Sequence, residues 1–362
     1  LPPLGSGGAS FDRRFRGEEV IAAALRSIER GRAPEVIFVH AEGRSLLRPS
    51  ADRMDLTALA DALRSVRCAV SEGQPGAEPR PLAREGRRQA WVIIPPLRRQ
   101  SIEADAREQR LLEATLRLIE SGEPILLAVT PSVLPLIGRP DPWAELAQRL
   151  GVRADSSRTV LELAALSERE REVRAFHEID GASSHPAARG AAGMRTIISE
   201  PVPVSGMEGV EVIGLLEIAP AGNRWLEDDW RGAARRTTAV PVAKRFDSPV
   251  AVIVARERPG GARAVVSGGA GWLFSGLTDL TGQLGPERVF LRYPGNRELF
   301  VGIIGWLVEL EGDFASATGR EVERIPVEAT RVRGVLGLSA VAGVPGAAML
   351  FAAFLWLRRR AS

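Results

Sequence analysis

His40 and Glu42 are the first residues of this sequence whose types and spacing suit general acid–base chemistry. They directly follow residues 36–39, an apolar run that predicts a strand buried on both faces. Catalytic groups of α/β proteins are often found where such a strand ends. The other two histidines, His177 and His185, lie far along the chain. We therefore expect His40 to stabilise a turn or contact a ligand rather than to catalyse a reaction.

Cys68 is the only cysteine, and its surroundings are wrong for a nucleophile. Residues 66–70 predict a buried strand instead of the sharp exposed turn that presents a reactive thiol. A lone cysteine also excludes an intrachain disulfide and a metal site built from several cysteines. The sequence contains no HExxH motif and no paired metal-ligand spacing. We predict a buried structural cysteine and no metal site.

Two further segments have part of a binding motif. Residues 267–271, Ser-Gly-Gly-Ala-Gly, have the glycine content of a phosphate-binding loop but lack its lysine and its spacing, so they predict a tight turn after a strand. The acidic run at 227–229 lies between Trp225 and Trp230 and fits a solvated turn better than a cation site. There is no GxSxG elbow. The sequence thus predicts no cofactor site and no complete active site.

The charge balance gives no reason to expect a nucleic-acid partner. The 362 residues include 48 basic and 45 acidic side chains, a net charge of +3. Lys244 is the single lysine, so 48 − 1 = 47 of the cations are arginines, and these alternate with acids along the chain. Interleaved charges of this kind are typical of a solvated surface.

Short apolar strands alternate with amphipathic helices in the first half of the chain. The strands are predicted at 36–39, 91–94 and 125–129, and the helices at 56–66, 103–120 and 143–150. This alternation is typical of an α/β fold with a mostly parallel, Rossmann-like sheet flanked by helices. Such sheets bind ligands outside the carboxyl ends of their strands. That edge is expected at residues 40–43, 95–96 and 130–131.

Changes in composition divide the chain into segments. Residues 1–16 predict a flexible tether, 17–165 the first half of the α/β domain, and 166–195 a polar linker or excursion. Residues 196–330 predict a continuation of the α/β domain or a second lobe. Its strands are expected near 196–199, 211–218, 250–255 and 263–267, and its helix at 298–310.

Residues 335–357 predict one transmembrane helix. They carry no charge, and the run is long enough to cross the roughly 30 Å hydrocarbon core of a bilayer. Arginines at 358–360 open a basic tail, 358–362, and the positive-inside rule then places the large domain outside the cytoplasm. Ser339, Gly343 and Ala347 recur every four residues and would let a partner helix approach closely, although small residues are common in membrane helices.

The order of these features resembles that of the GldG-like auxiliary components of ABC-type transport systems associated with gliding motility. The resemblance covers residues 18–360 and depends on the order of the motifs. They are a strand with the turn 40–43, a strand ending in prolines at 91–96, a glycine turn at 121–125, a strand and tryptophan at 215–225, a strand and turn at 264–268, Gly295-Asn296, a Gly-Trp-Leu helix segment at 305–307, and the C-terminal membrane helix closed by arginines.

This resemblance implies a non-enzymatic subunit that docks on an ABC permease and its ATPase through the membrane helix. It implies an amidotransferase-like domain without catalytic residues, outside the inner membrane of a bacterium, and no cofactor. His40, Glu42 and Asn296 are then candidate ligand or partner contacts. Two alternatives stay open: a membrane-tethered carbohydrate-binding module or hydrolase that uses His40 and Glu42 on a saccharide, and a structural subunit of another membrane complex.

Overall fold

A computed structural model of the chain describes residues 33–73, 88–96, 104–165, 171–181, 183–236, 240–283 and 289–311. All of these belong to one compact unit, residues 1–319. In that part of the chain no helix is long and apolar enough to cross a membrane. The predicted tether 1–16, the predicted transmembrane helix 335–357 with Ser339, Gly343 and Ala347, and the tail 358–362 lie outside the described residues.

The described chain contains short strands and helices in an order that alternates in its first third. The strands are β1 Glu35–His40, β2 Ala69–Gly73, β3 Gln89–Ile94, β4 Ile125–Ala128, β5 Val152–Ala154, β6 Thr159–Ala165, β7 Arg171–Arg174, β8 Phe176–Asp180, β9 Arg195–Ser199, β10 Val204–Gly206, β11 Ile213–Ile218, β12 Arg224–Glu227, β13 Val250–Glu257, β14 Arg263–Ser267, β15 Thr281–Gln283 and β16 Val289–Leu291. The α-helices are α1 Thr57–Ser65, α2 Ala106–Glu120, α3 Pro142–Arg149, α4 Trp230–Arg236, α5 Ser275–Thr278 and α6 Pro294–Leu307.

A seven-stranded sheet in the order β11-β13-β14-β4-β3-β1-β2 forms the centre of the unit. Strands β2, β1, β3, β4 and β14 are parallel, whereas β13 is antiparallel to both of its neighbours, β14 and β11. The predicted α/β fold with a mostly parallel sheet is therefore confirmed. Because β14 pairs with β4, the second half of the chain continues the first sheet rather than forming a separate lobe.

Both faces of this sheet are covered, which explains why its inner strands are apolar throughout. On one face, Val36 and Phe38 pack in a core with residues of α1 and α6. On the other face, Ile37 and Val39 pack in a core with residues of α2 and α3. The chain goes from β1 to β2 on one side and then to β3 on the other, so the strand order reverses at β1 and β3. Ligands commonly bind at the carboxyl edge near such a reversal.

Residues 166–195, predicted as a polar linker or excursion, include two short strands. This segment contains β7, which pairs with β6, and β8, which pairs with β9. No signal in the sequence marks these strands, because they are short and only three of their nine side chains are apolar. Trp225 and Leu161 form a small core of their own beside β6 and β12.

Helix α6 begins four residues before its predicted start. Pro294 occupies its first turn, where the missing N–H of proline costs nothing. The pair Gly295-Asn296 lies in the first turn of this helix and is buried.

Candidate functional site

A cavity of about 690 Å³ lies at the carboxyl edge of the central sheet. Its wall is formed by the segments that follow three parallel strands: Pro95 and Pro96 after β3, residues 130–134 after β4, and residues 269–271 after β14. Two of the three segments expected at a ligand-binding edge, 95–96 and 130–131, thus line it, whereas 40–43 does not. Its volume and position are those of a small-molecule site in an α/β protein.

Apolar and aromatic side chains form much of the cavity wall. Trp143, Trp230 and Phe274 line it together with Met54 and Leu277. Trp143 is fixed, because its indole N–H donates to Glu108 Oε1 at 2.9 Å. Glu108 and Asp141 are buried carboxyl groups of the same wall.

The glycine-rich residues 268–271 after β14 pack against residues 199–202, the corner between β9 and β10. The Val202 N–H donates to the Gly268 carbonyl oxygen at 2.6 Å. A Cβ on Gly268 would overlap the Val202 carbonyl, and one on Gly271 would overlap the Ser199 hydroxyl. The glycines therefore allow two backbones to touch, and the tight turn predicted for residues 267–271 is a contact surface for residues 199–202.

Glu200 sits on that corner and faces the cavity in a strained conformation. Its φ is +46°, in the left-handed region, and Pro201 follows it. Left-handed backbone is costly for a residue with a side chain, and a residue before proline ordinarily adopts an extended conformation. A strained residue of this type costs on the order of 1–3 kcal/mol and is typical of functional sites.

Hydrogen bonds on both sides hold this corner in place. The Glu200 N–H donates to the Ala175 carbonyl at 2.5 Å. The Thr159 hydroxyl and the Val160 N–H both donate to the Pro201 carbonyl, at 2.8 and 3.1 Å. Burial raises the pKa of the Glu200 carboxyl above its ordinary value, and the positive charge of Arg231 lowers it in part. A carboxyl group in a cleft whose pKa is raised in this way is a candidate for function.

Arg231, the second residue of α4, supplies a positive charge to the same cavity. Its guanidinium carbon lies 5.0 Å from the centre of the Trp230 ring, a cation–π arrangement. Lys244 lies near the start of this helix, and its Nζ is 2.6 Å from both Glu227 Oε1 and Asp228 Oδ1. The acidic run at 227–229 is therefore joined to the only lysine of the chain rather than open to a cation.

His40 and Glu42 lie outside this cavity. His40 is 6% exposed, and its Nε2 donates to Glu72 Oε1 at 2.6 Å, while its Nδ1 accepts the Glu42 N–H at 3.2 Å. The Leu46 N–H donates to the same Glu72 oxygen at 2.7 Å. These bonds assign the proton to Nε2 and close the turn after β1, the turn-stabilising role that the sequence favours.

The side chain of Asn296 also has a structural role. It is fully buried; its Oδ1 accepts the Ile197 N–H at 2.8 Å, and its Nδ2 donates to the carbonyls of Ile197 and Trp272 at 3.1 Å. Cys68 is buried, as predicted. Neither residue lines the cavity, and no group of three or more potential metal ligands occurs among the residues that the structure describes.

Sequence analysis missed Glu200 and Arg231. A signal was present at Glu200, because a charged residue followed by proline comes directly after the predicted strand 196–199. No sequence signal marks Arg231, because it is one arginine among many in a polar stretch. Its place in the wall depends on how α4 returns to the sheet, which a linear sequence does not reveal.

Comparison with known proteins gives limited similarity. No family model and no curated protein matches the sequence. Among solved structures, the mmIFT52 N-terminal domain is 12% identical with a TM-score of 0.44, over 75% of this chain and 96% of that one. A ThuA-like protein from Parabacteroides merdae is 12% identical with a TM-score of 0.34, over 82% of this chain and 94% of that one. Likeness of this extent carries no information on ligand, activity or partner.

Proposed function

We propose that this chain is a non-enzymatic, membrane-anchored auxiliary subunit of an ABC-type transporter, and that its α/β domain binds a small polar ligand in the strand-edge cavity. The observation that carries the ligand-binding part is the cavity itself, about 690 Å³ in volume and lined by Glu200 and Arg231 beside aromatic walls. The GldG-like order of motifs and the uncharged run 335–357 support the transporter part.

Binding suits this cavity better than catalysis. Its described lining contains carboxyl groups, one guanidinium and several hydroxyls, but neither a histidine nor a cysteine. Most nucleophilic mechanisms need a nucleophile beside a base within hydrogen-bond reach. His40, the candidate base of the hydrolase alternative, is occupied by Glu72 away from the cavity. A few convergent polar groups on apolar walls are the usual composition of a binding site.

The transporter part is tested by its partners. The tagged full chain would be extracted from its native membrane in a mild detergent, and co-purified proteins would be identified by mass spectrometry. We expect an ABC ATPase and a multi-span permease in the eluate. A chain that purifies alone, or with an unrelated assembly, would contradict the transporter role and leave ligand binding as a separate question.

A carbohydrate-binding module is the second candidate, and the aromatic residues of the cavity favour it. Trp230 is half-buried and lines the cavity beside polar groups, as the aromatic residues of saccharide sites do. Titration of the full chain with mono- and disaccharides, followed by tryptophan fluorescence, tests this candidate. Saturable quenching that disappears on Trp230→Ala would support it, and unchanged fluorescence across the panel would reject it.

A further inference from the structure

We propose that the cavity recognises a small zwitterion, a molecule such as an α-amino acid that carries an ammonium and a carboxylate close together. Glu200 would bind the ammonium and Arg231 the carboxylate. This inference rests on the proposed function only in taking the cavity as a ligand site; it does not require a transporter partner.

The first step is the state of the two charges. Both side chains are exposed in the cavity. Within the described part of the chain, neither the Glu200 carboxylate nor the Arg231 guanidinium has a hydrogen-bonded or ion-paired partner, although they are close enough for Arg231 to lower the pKa of Glu200. Opposite charges that face one cavity without pairing leave room for a ligand that carries the complement of both.

The second step is preorganisation. Glu200 is held in left-handed backbone by hydrogen bonds to Ala175 and by the bonds that Pro201 accepts from β6. Strain of this kind persists only where the surrounding structure imposes it, and it clusters at ligand sites. A residue whose backbone is already fixed loses less entropy when it binds a ligand than a residue of a mobile loop does.

The third step is the geometry of Arg231. Its guanidinium carbon lies 5.0 Å from the centre of the Trp230 ring, and this cation–π contact uses none of the guanidinium N–H groups as hydrogen-bond donors. Those in-plane donors match the two oxygens of a carboxylate. Glu200 would repel a purely anionic ligand, and Arg231 would repel a purely cationic one. A zwitterion can place its ammonium at Glu200 and its carboxylate at Arg231.

The apolar wall can take the remainder of such a molecule. Met54, Leu134 and Phe274 line the same cavity, and its volume suits an amino acid with an apolar side chain or a dipeptide. Saccharide hydroxyls could form hydrogen bonds with either charged side chain but do not require both. Loss of binding when either charge of the ligand is removed therefore distinguishes a zwitterion site from a saccharide site.

The test measures binding of the twenty standard amino acids to the full chain in mild detergent, first by thermal shift and then by calorimetry. The best ligand is compared with its N-acetyl derivative, which lacks the ammonium, and with its amide, which lacks the carboxylate. We expect each derivative to bind about tenfold or more weakly, the loss typical of a charged hydrogen bond. Glu200→Gln should weaken the amino acid and abolish discrimination against the N-acetyl form, and Arg231→Gln should do the same for the amide.

Exposed charges outside the cavity supply the matched controls. Glu120→Gln and Arg139→Gln remove the same charges from exposed positions that do not line it, and both should bind like the original chain. The inference is overturned if no amino acid binds, or if both derivatives bind as tightly as the parent. Saccharide binding in that case would leave the cavity as a ligand site, and a co-purified permease would leave the transporter role intact.

The strain gives a test that needs no ligand. Glu200→Gly should raise the melting temperature by about 2–4 °C, because glycine adopts a positive φ without cost. Arg67→Gly is the control, since Arg67 has a φ of +60° outside the cavity and should give a similar rise without changing ligand affinity. A Glu200→Gly variant that melts lower than the original chain would show that the carboxyl is held for stability rather than for a ligand, and would overturn the inference.

Discussion

Single residues of this protein take their roles from their hydrogen-bond partners rather than from their type. His40 has the chemistry of a base, but both of its ring nitrogens are bonded inside the turn after β1. Asn296 has the chemistry of a ligand contact, but its amide bonds three backbone groups of the core. Glu200, which no motif marks, lines the cavity and is exposed, whereas Glu108 and Asp141 in the same wall are buried.

Substitution of His40 tests its structural role. His40→Ala removes the bond to Glu72 and the acceptor of the Glu42 N–H, and we expect a loss of about 2–3 kcal/mol in the free energy of unfolding. Urea denaturation followed by tryptophan fluorescence would measure it. Cavity ligands should bind with unchanged affinity, since His40 does not line the cavity. A variant with full stability but lost ligand binding would restore the hydrolase or saccharide-binding role of His40.

Asn296 offers a second test at the scale of one side chain. Asn296→Ala leaves the buried N–H and carbonyl of Ile197 without their partner, and we expect a loss of about 3 kcal/mol. Asn223→Ala is the matched control, because the Asn223 amide is partly exposed and makes one bond, to the Leu163 carbonyl at 3.3 Å. It should cost about 1 kcal/mol or less. Equal losses in the two variants would contradict the bracing role of Asn296.

At the scale of elements, the sequence predicts those with a strong period and misses those without one. The inner strands β1, β3 and β4 and the helices α2 and α3 were located within a few residues, because burial on one face or both leaves a clear pattern of apolar residues. Strands β7 and β8 were missed because their small sheets bury few side chains. The position of the carboxyl edge could be predicted because the strands were predicted. The position of Glu200 could not, because it depends on packing of residues 199–202 against Gly268, which is distant in the sequence.

That contact between elements can be tested at Gly268. A methyl group there would collide with the Val202 carbonyl, so Gly268→Ala must push the β9–β10 corner away from β14. We expect a loss of about 2–3 kcal/mol, typical of overpacking in a rigid site, together with weaker binding of any ligand that needs Glu200. Gly222→Ala is the control, because a methyl group at Gly222 would meet open space. If Gly268→Ala unfolds at the same denaturant concentration as the control, the two backbones are not in rigid contact.

Across the whole unit, the chain builds one sheet from distant segments, and buried acids fix those segments to one another. Asp55, just before α1, accepts hydrogen bonds from the hydroxyls of Ser275 and Thr57. Glu162 of β6 accepts one from Arg224 of β12 at 2.8 Å and lies 3.6 Å from Nδ1 of His177. Each carboxylate therefore couples parts of the fold that the sequence places far apart.

These two acids should make the stability of the protein fall steeply with acid. Burial alone would raise the pKa of Asp55, but hydrogen bonds from Thr57, Ser275 and Ser50 lower it to about 2, from 3.8. His177 and Arg224 lower the pKa of Glu162 to about 2, from 4.5, against the effect of burial. A carboxyl whose pKa is lower in the folded state stabilises the fold above its unfolded pKa, and that stability is lost as the pH falls through the folded value.

The expected loss is at most about 2.5 kcal/mol for Asp55 and at most about 3.5 kcal/mol for Glu162, since solvent screening reduces both, and most of it occurs between about pH 4.5 and pH 2. Urea denaturation at a series of pH values would measure it. Asp55→Asn should be less stable than the original chain at pH 7, and the difference should shrink toward pH 2, because about half of the folded molecules then carry a protonated Asp55. The free energy of unfolding of the Asp55→Asn, Glu162→Gln double variant should depend even less on pH. Glu120→Gln, which changes an exposed acid, should show the same pH dependence as the original chain. Parallel curves for Asp55→Asn and the original chain would mean that the Asp55 carboxylate does not join α1 to α5 through its charge.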